Sequence, residues 1–425
     1  MKKHSIIIVG GGASGCIAAL LLKEAGFDVA IMEAQDRILK KILVTGNGRC
    51  NITNAKLIGI KDASPYYSSQ DKTFAFDPLI TFEASQAIQL FEQLGLPLTI
   101  LEEGKMYPKS LQASSVSDLI RLRLKELDVP VYLNSKVKTI VHKQAAFLLM
   151  TSHDSYTADQ VIIAGGGQAM PSTGSDGSLY SIVRELGHHI IKPLPALVQL
   201  KTDFSQLRAL SGVKIQAELS LWDKNLLVAT ESGELLFTDY GISGPPVLQL
   251  SRFASQIIAD GREPQILLNL FPDMEESKVV ELIQQQRKLF PAREAQDLLN
   301  GIVHKKLIPI LFKQSGLDKM TRTAADIPDE VFEHVCRMLT KWPMRVTETT
   351  GFVNSQSTLG GVDLRQIHHK TLESKLIPKL YFSGEILDVC GACGGYNLQW
   401  AWSSAFAIAS DIIAVAKNQQ AATVN

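Results

Sequence analysis

The feature that most constrains this chain is a glycine-rich turn between two apolar segments, IIIVGGGASGCIAALLLKEAGFDVAIME, residues 6–33. Its first four residues are typical of a strand buried on both faces of a parallel sheet. Gly10, Gly12 and Gly15 follow with the spacing G-x-G-x-x-G, and a helical segment leads to a second apolar strand. Three consecutive glycines do not fit the core of a secretory signal. The order therefore predicts a strand–helix–strand nucleotide unit.

Each part of this unit has a chemical role. Gly10 allows a tight turn, Gly12 allows the backbone to approach a pyrophosphate, and Gly15 allows close packing of helix on strand. The pyrophosphate would lie on the free N–H groups at the start of the helix. Glu33, at the end of the second strand, can accept hydrogen bonds from ribose hydroxyls and repels a 2′-phosphate. We expect FAD or NAD rather than NADP, with Ala13, Ser14 and Ala34 beside these residues.

Composition excludes several classes of protein. The 425 residues carry 43 Lys+Arg and 43 Asp+Glu, so no overall field favours nucleic acid or anionic lipid. Five scattered cysteines indicate a reducing cytoplasm rather than a disulfide framework. Nine histidines form no recognisable metal-ligand spacing. The apolar segment 398–416 contains serines and Asp411, which favours a buried helix over a membrane span. We therefore expect no metal, nucleic-acid or membrane partner, and leave the oligomeric state open.

The order of strand-like, helical and glycine-rich segments along the chain predicts an α/β protein in which further domains are inserted. A strand, a glycine-rich loop and a long helix at the end of the chain resemble the first unit in type, so we place them in the same domain. The predicted fold is a discontinuous Rossmann-like FAD-binding domain with an inserted β-barrel-like domain and a helical subdomain. The predicted boundaries are 1–192 and 363–425 for the FAD-binding domain, 193–272 and 343–362 for the β domain, and 273–342 for the helical subdomain.

The last segment favours FAD over NAD. Gly384 and Glu385 follow an apolar strand, and Asp388 could accept hydrogen bonds from ribityl hydroxyls. The run Gly394–Asn397 begins the last helix, whose free N–H groups carry a partial positive charge of roughly half a unit. Directed at flavin N1 and O2, this helix would stabilise the anionic reduced flavin. A plain loop with a helix cap is the alternative.

Four motifs resemble those of a known family: TGNGRCNITN (45–54), GKMYPKSLQASSV (104–116), GELLFTDYGISGP (233–245) and GEILDVCGACGGYNLQWAWSSA (384–405). The family comprises bacterial flavoproteins that include aminoacetone oxidases and bile-acid dienone reductase-like oxidoreductases that use NAD(P) and FAD. The resemblance extends nearly from end to end. It implies non-covalent FAD, a discontinuous FAD domain, an inserted β-barrel-like domain and a helical subdomain.

The resemblance also implies roles for individual residues. It places a first group near the pyrophosphate and flavin, and a second group at the ribityl chain and ring. The first group is Lys41, Thr45, Gly46, Gly48, Arg49, Cys50 and Asn51; the second is Asp388, Gly395, Tyr396 and Asn397, and we add Val137, Ala164, Gly165, Gly166, Gly384 and Glu385 to the cofactor-binding set.

Two departures from the family pattern bear on the substrate. The usual alanine-threonine-glycine-glycine run is AGGG here, with Gly165 in place of threonine. Thr238–Asp239–Tyr240 stands where threonine-histidine is expected. Substrate or mechanism would differ here if that histidine contacts substrate in relatives. Asp239 and Tyr240 are therefore candidate catalytic residues.

Cys390 and Cys393 form a C-x-x-C pair just before a helix, an arrangement that favours thiolate character and could form a disulfide. Beside a flavin loop they are candidates for electron exchange. The alternative is two small residues in a tight loop with no redox role.

The sequence leaves two classes of function open. A flavin performs hydride chemistry while the protein supplies position and electrostatics. The first hypothesis is an FAD-dependent oxidoreductase acting on a small organic molecule, either an aminoacetone or amine oxidase that produces peroxide or an NAD(P)H-dependent enone reductase. With no second complete G-x-G-x-x-G unit in the sequence, NAD(P)H would visit the flavin transiently. The second hypothesis is a flavin-bearing binding, regulatory or RNA-associated protein without turnover.

Overall fold

We analysed a computed structural model of the chain, which describes residues 2–143 and 146–424. The chain divides into two compact units, Met1–Pro195 with Ser355–Asn425, and Ala196–Asn354. The first unit contains both the amino-terminal nucleotide motif and the carboxyl-terminal glycine-rich motif. Each unit has its own core of buried apolar side chains.

The first unit begins with a run of strands and helices. The strands are β1 Lys2–Val9, β2 Val29–Met32, β3 Thr53–Asn54, β4 Tyr67–Ser68, β5 Leu98–Ile100, β6 Lys105–Pro108, β7 Val131–Tyr132, β8 Thr139–Lys143, β9 Ala146–Met150, β10 Ser155–Ile163 and β11 Ile190–Ala196. The helices are α1 Ala13–Glu24, α2 Phe76–Thr81, α3 Ala84–Gln93, α4 Ala113–Glu126 and α5 Leu179–Glu185.

The second unit contains a closed antiparallel barrel. Its strands are β12 Leu200–Thr202, β13 Lys214–Asp223, β14 Leu226–Phe237, β15 Gly241–Ser243, β16 Gln265–Asn269 and β17 Trp342–Thr349. They pair in the order β12-β15-β14-β13-β16-β17. The helices are α6 Leu207–Leu210, α7 Pro245–Ala259, α8 Glu276–Leu289, α9 Ala295–Leu298, α10 Ile308–Gln314 and α11 Asp329–Thr340. Helices α8 to α11 lie between β16 and β17 in the chain.

The chain then returns to the first unit. The returning elements are β18 Ser357–Val362, β19 Leu380–Phe382, β20 Cys390–Gly391 and α12 Tyr396–Val424. Strand β19 pairs in parallel with β10, and β20 pairs with β4. The two ends of the chain therefore belong to one sheet and one core.

A mixed sheet organises the first unit in the order β7-β2-β1-β10-β9-β8. Strand β1 pairs in parallel with β2 and β10, and the side chains of Ile6–Val9 are buried on both faces of the sheet, as is typical of a central parallel strand. The carboxyl ends of β1, β2 and β10 thus lie side by side. In open α/β sheets this edge is where ligands bind.

Helix α12 packs on α1 and provides much of the core through Trp400, Trp402 and Ile408, each at most 1% exposed. By length and composition, it is the one helix in the described part of the chain that could cross a membrane, over Tyr396–Ala421. However, 61% of its most apolar window is buried inside the structure, as in a core helix of a soluble protein.

The predicted fold class is confirmed: a Rossmann-type α/β domain is interrupted by a β-barrel with helices. The two compact units differ from the predicted boundaries at both junctions: the first part of unit 1 ends at Pro195 rather than at 192, and its second part begins at Ser355 rather than at 363. Strand β18 belongs to the first unit, where it pairs with β11, whereas the sequence placed residues 343–362 in the β domain. The further division of the second unit into a β domain and a helical subdomain stays a prediction.

Candidate functional site

A cleft opens at the carboxyl ends of β1, β2 and β10, within the first unit. The last residues of two strands, Val9 and Met32, lie in its wall, together with Ala164 after β10. The glycine-rich turn before α1 forms one end, and residues from the start of α12 also line it. The sheet therefore brings the amino-terminal and carboxyl-terminal motifs to one cavity.

The glycines of the turn have different neighbours. A Cβ on Gly10 would lie 2.5 Å from the Ala164 carbonyl oxygen, and one on Gly15 would lie 2.1 Å from the Gly10 oxygen. A Cβ on Gly12 would meet no protein atom closer than 3.9 Å. Packing thus requires Gly10 and Gly15, whereas Gly12 faces open space in the cleft. That space suits a ligand that approaches the backbone closely.

The start of α1 provides hydrogen-bond donors for such a ligand. Among the residues that the structure describes, no side chain caps this helix, and its first turn has no acidic residue. The first N–H groups of a helix lack intrahelical partners and carry partial positive charge. A pyrophosphate fits the combination of free N–H groups and the open face at Gly12.

Glu33 is 9% exposed and fixed at the end of β2. Its Oε2 accepts a hydrogen bond from the Gly11 N–H at 2.7 Å, and its Oε1 accepts one from the Gln35 N–H at 2.8 Å. Each carboxylate oxygen has lone pairs left for a further donor. The carboxylate is therefore held in place for ribose hydroxyls, as the sequence predicts for an adenosine site.

An ion pair joins two distant parts of the chain at the cleft. Lys41 Nζ lies 2.9 Å from Glu385 Oε2, and both side chains are less than a quarter exposed. Glu385 Oε1 accepts a hydrogen bond from the Thr358 N–H at 2.9 Å. Both charged residues line the cleft. The pair places a cation and an anion beside any bound dinucleotide.

The start of α12 is held by the side chain of Asn397. Its Oδ1 accepts hydrogen bonds from the Gly391 N–H at 2.8 Å and from Ser357 Oγ at 3.0 Å. Its Nδ2 donates to the Gly391 carbonyl oxygen at 2.9 Å. These hydrogen bonds join the start of α12 to Gly391 in β20 and to Ser357 in β18. Asn397 and Ser357 also line the cleft.

The TGNGRC segment contributes Thr45 to the lining, and its other residues lie outside it. Arg49 is exposed and lies over the ring of Tyr107, with 5.2 Å between guanidinium carbon and ring centroid. Cys50 is fully buried, and this burial raises the pKa of its thiol to about 12. A thiol in that environment stays protonated, which argues against a nucleophilic role.

Asp388 lies outside the cleft lining. It is 4% exposed, and its two carboxylate oxygens accept hydrogen bonds at 3.0 Å from the backbone N–H groups of Gln70 and Gly360. Burial raises the pKa of this carboxyl to about 6. In this structure Asp388 ties two loops together, and its contact with a ribityl chain stays a prediction.

The catalytic candidates are distributed over both units. Cys390 is buried and its Sγ donates a hydrogen bond to Ser357 Oγ at 3.4 Å, whereas Cys393 is partly exposed. Asp239 and Tyr240 belong to the second unit, in the turn between β14 and β15, and Tyr240 is 39% exposed. Their catalytic roles, and the redox role of the two cysteines, stay predictions.

The structure brings many of the predicted cofactor residues together at the cleft. Those that line it are Gly10, Gly12, Ala13, Ser14, Glu33, Ala34, Lys41, Thr45, Val137, Ala164, Gly165, Gly166, Glu385 and Asn397. Those outside the lining are Gly15, Gly46, Gly48, Arg49, Cys50, Asn51, Gly384, Asp388, Gly395 and Tyr396. Gly15 is outside because it is packed between α1 and β1, as its predicted role requires.

The sequence did not single out a second set of lining residues. They are Val9, Gly11, Met32, Arg37, Leu39, Lys40, Ile42, Ser135, Lys136, Gly167, Thr173, Gly174, Ser175, Asp176, Gly177, Ser178, Leu179, Gln356, Ser357, Leu398 and Ala401. The run STGSDGS, 172–178, was the available signal, because glycine and serine after a parallel strand are typical of a nucleotide loop.

Comparison with known proteins identifies the family of this chain. The family model of the HI0933-like protein Rossmann domain matches residues 4–411. The 3-dehydro-bile acid delta(4,6)-reductase of Clostridium scindens is 37% identical over 405 residues, covering 95% of this chain and 97% of that protein. The ribosomal RNA dihydrouridine synthase of Haemophilus influenzae is 30% identical, covering 96% and 98%.

A solved structure supports the fold. The 3-ketosteroid delta1-dehydrogenase of Sterolibacterium denitrificans has a TM-score of 0.50 and 14% identity, covering 98% of this chain and 100% of that one. The free N–H groups at the start of α1, the Glu33 carboxylate and the start of α12 meet at one cleft. This arrangement fits FAD, the cofactor of this family. The chain belongs to the HI0933-like family of Rossmann-type FAD-binding proteins, and it is an FAD-dependent oxidoreductase.

Proposed function

We propose that this enzyme reduces a carbon–carbon double bond conjugated with a carbonyl group. The observation that carries the proposal is the chemistry that the names of its two kinds of full-length relative share. A 3-dehydro-delta(4,6) bile acid has double bonds conjugated with a ketone, and dihydrouridine is uridine whose ring double bond beside a carbonyl is saturated. The same hydride acceptor thus occurs in a steroid and in a nucleobase.

The residues of the cleft would hold FAD in the following way. The α1 N–H groups and the open face of Gly12 bind the pyrophosphate, and Glu33 accepts from the adenosine ribose. Lys41 and Glu385, which form an ion pair in the cleft, would lie beside the middle of the dinucleotide, and the start of α12 with Asn397 would lie on the flavin side. When bound, FAD supplies the hydride, and the protein supplies position and electrostatics.

Reduction of a conjugated double bond also needs a proton at the carbon next to the carbonyl. Cys50 is unsuited to this role because it is fully buried, with a pKa raised to about 12. Of the catalytic candidates in the unit that contains the cleft, Cys393 is the partly exposed one, on the loop that leads into α12. We therefore propose Cys393 as the first residue to test as proton donor.

The favoured substrate is a small conjugated ketone. The relative named for the bile-acid reaction shares 37% identity, against 30% for the one named for the RNA reaction, and the chain has equal numbers of basic and acidic residues. A uracil in ribosomal RNA is the second candidate. It is supported by a relative that this chain matches over 96% of its length. In both cases NAD(P)H would reduce the flavin transiently.

The test uses holoprotein reduced with dithionite without oxygen. Addition of a 3-oxo-4,6-diene bile acid should restore the absorbance of oxidised flavin, and mass spectrometry should find product with two added hydrogens. The saturated 3-oxo bile acid is the matched control and should leave the flavin reduced. Unmodified ribosomal RNA forms the second arm, with dihydrouridine as its product. Failure of both acceptors to reoxidise the flavin would overturn the proposal.

The same preparation separates the reductase from the other predictions. An aminoacetone oxidase would have its flavin reduced by aminoacetone without oxygen and would release peroxide in air. A binding protein without turnover would exchange hydride with none of these compounds. Both alternatives stay predictions until that comparison is made.

A further inference from the structure

A loop after β10, residues 173–178, forms one wall of the cleft. All six of its residues line the cavity, and so does the segment 135–137 that follows β7. A Cβ on Gly174 would lie 3.1 Å from Gln35 Cγ and 3.6 Å from Glu33 Oε1. The loop 173–178 therefore lies against the end of β2, beside the carboxylate that we assign to the ribose.

The order of the strands shows that this loop and this segment meet across the cleft. Strands β7, β2, β1 and β10 are neighbours in that order and pair in parallel, so their carboxyl ends share one edge of the sheet. Three strand spacings separate β7 from β10, a distance of roughly 14 Å. A contact between the chain after β10 and the chain after β7 thus passes over the ends of β1 and β2.

One side of this contact is anchored and the other is not. The Ser135 N–H donates to the Glu33 carbonyl oxygen at 2.8 Å, which fixes the segment 135–137 at the end of β2. The loop 173–178 bonds mainly to itself and its flanks. Among the residues that the structure describes, a single hydrogen-bonded ion pair joins it to a residue outside 170–185: Lys136 Nζ lies 2.6 Å from Asp176 Oδ2.

The charges of this pair respond to what fills the cleft. Partial burial acts to raise the pKa of Asp176, but hydrogen bonds from Lys136 and Ser178 lower this pKa overall, so the carboxylate is charged at neutral pH. Both side chains of the pair are 40% exposed. In the FAD-free protein water screens their attraction, and the pair contributes little.

We propose that the loop 173–178 is a lid over the cofactor cleft, latched by the Lys136–Asp176 ion pair, and that it controls the release of FAD. Bound cofactor excludes water from the cleft side of both charged groups and so strengthens their attraction. The latch is weak in the empty cleft and stronger around FAD. Release of FAD then requires the loop to move away from the segment 135–137. The lid rests on FAD in the cleft and not on the reaction that the flavin performs.

The test measures how fast the holoprotein releases FAD, from the fluorescence of the free cofactor after dilution. Lys136→Met and Asp176→Asn should each release FAD about fivefold faster than the wild type. The double variant should be no faster than either single variant, because the two groups act through one contact. Arg123→Met is the matched control and should keep the wild-type rate. Arg123 pairs with Glu24 at 2.9 Å in the same unit, with side chains 38% and 42% exposed, outside the cleft lining.

A cross-link tests the lid without relying on charge. In the double variant Lys136→Cys, Asp176→Cys, a short bismaleimide should join the loop to the segment 135–137. Cross-linked apoprotein should fail to take up FAD, and cross-linked holoprotein should retain it. Each single cysteine variant, treated in the same way, controls for reaction at the partly exposed Cys393.

Three results would overturn the proposal. The first is release at the wild-type rate in Lys136→Met and Asp176→Asn. The second is an additive effect in their double variant, as expected if each side chain contacts the cofactor independently. The third is free exchange of FAD in the cross-linked protein. Since no measurement involves a substrate, failure here leaves the proposed reductase activity standing, and failure of the reductase test leaves the lid standing.

Discussion

The two ends of the cleft, which we propose hold the adenosine and the flavin of FAD, are built by different means. The adenosine end comes mainly from one continuous segment, residues 10–33, whose Gly10 backbone also lies close to the backbone of Ala164 after β10. The flavin end comes from segments far apart in the chain, around residues 41–54, 355–358 and 384–401, joined by side-chain hydrogen bonds. At the adenosine end Gly10 and Gly15 therefore leave no room for an added atom, whereas the flavin end can be altered one hydrogen bond at a time.

The largest expected effect lies at the adenosine end. Gly10 has φ +113°, and alanine there would place Cβ 2.5 Å from the Ala164 carbonyl oxygen. Both the backbone conformation and the contact are unfavourable for alanine, so Gly10→Ala should lower the free energy of unfolding by about 3 kcal/mol. Urea denaturation of the FAD-free protein measures this loss.

Gly12→Ala is the matched variant. The backbone of Gly12, at φ −80° and ψ −167°, suits alanine, and the nearest protein atom to a Cβ is 3.9 Å away. The free energy of unfolding of the FAD-free protein should change by less than about 1 kcal/mol, while FAD affinity should fall clearly. Equal loss of stability in the two variants would contradict the distinction between a packing glycine and a ligand-facing glycine.

This contrast also explains what the sequence could predict. The turn, the helix and Glu33 follow from local spacing, because a G-x-G-x-x-G between two buried strands has few structural solutions. Lys41 and Glu385 are both predicted cofactor residues, but spacing cannot show that they form an ion pair between segments 344 residues apart. Asp388 was expected at the ribityl chain, whereas two backbone N–H groups from distant loops occupy its carboxylate.

The cleft-lining residues that the sequence does not predict likewise depend on contacts between distant segments. The loop at 173–179 offers only its glycine and serine content as a signal, and the cations Arg37, Lys40 and Lys136 carry no motif. They reach the cleft through the course of the chain after β10, β2 and β7. Strand β18 lies within residues 343–362, which the sequence predicts to be part of the β domain. Its pairing with β11 depends on contacts that no local pattern records.

The second prediction concerns the framework of the flavin end. Burial raises the pKa of Asp388 to about 6, and the Asp363 carboxylate adds repulsion. In the unfolded chain this pKa is about 4. Between pH 4 and pH 6 the folded state keeps a proton that the unfolded state has lost. The contribution of Asp388 to the free energy of unfolding should therefore fall by on the order of 2 kcal/mol as the pH rises through this window.

Asp388→Asn isolates that contribution because asparagine does not titrate. Urea denaturation at pH 4, 5, 6 and 7 should give a difference between wild type and variant that changes across the window and is constant above about pH 6. A difference that is independent of pH would show that Asp388 titrates near its ordinary value.

The smallest effect concerns the Lys41–Glu385 pair, the charged link between the two halves of the first unit's sequence. The side chains are 24% and 19% exposed, so the pair is less screened than a surface ion pair, and we expect a coupling energy of about 1 kcal/mol in the FAD-free protein. A double-mutant cycle with Lys41→Met and Glu385→Gln measures it from unfolding free energies. Lys136 and Asp176 form the matched control at 2.6 Å, because both also line the cleft but are 40% exposed, and their coupling should be less than about 0.5 kcal/mol. Equal coupling in the two cycles would show that partial burial gives Lys41 and Glu385 no advantage over an exposed pair.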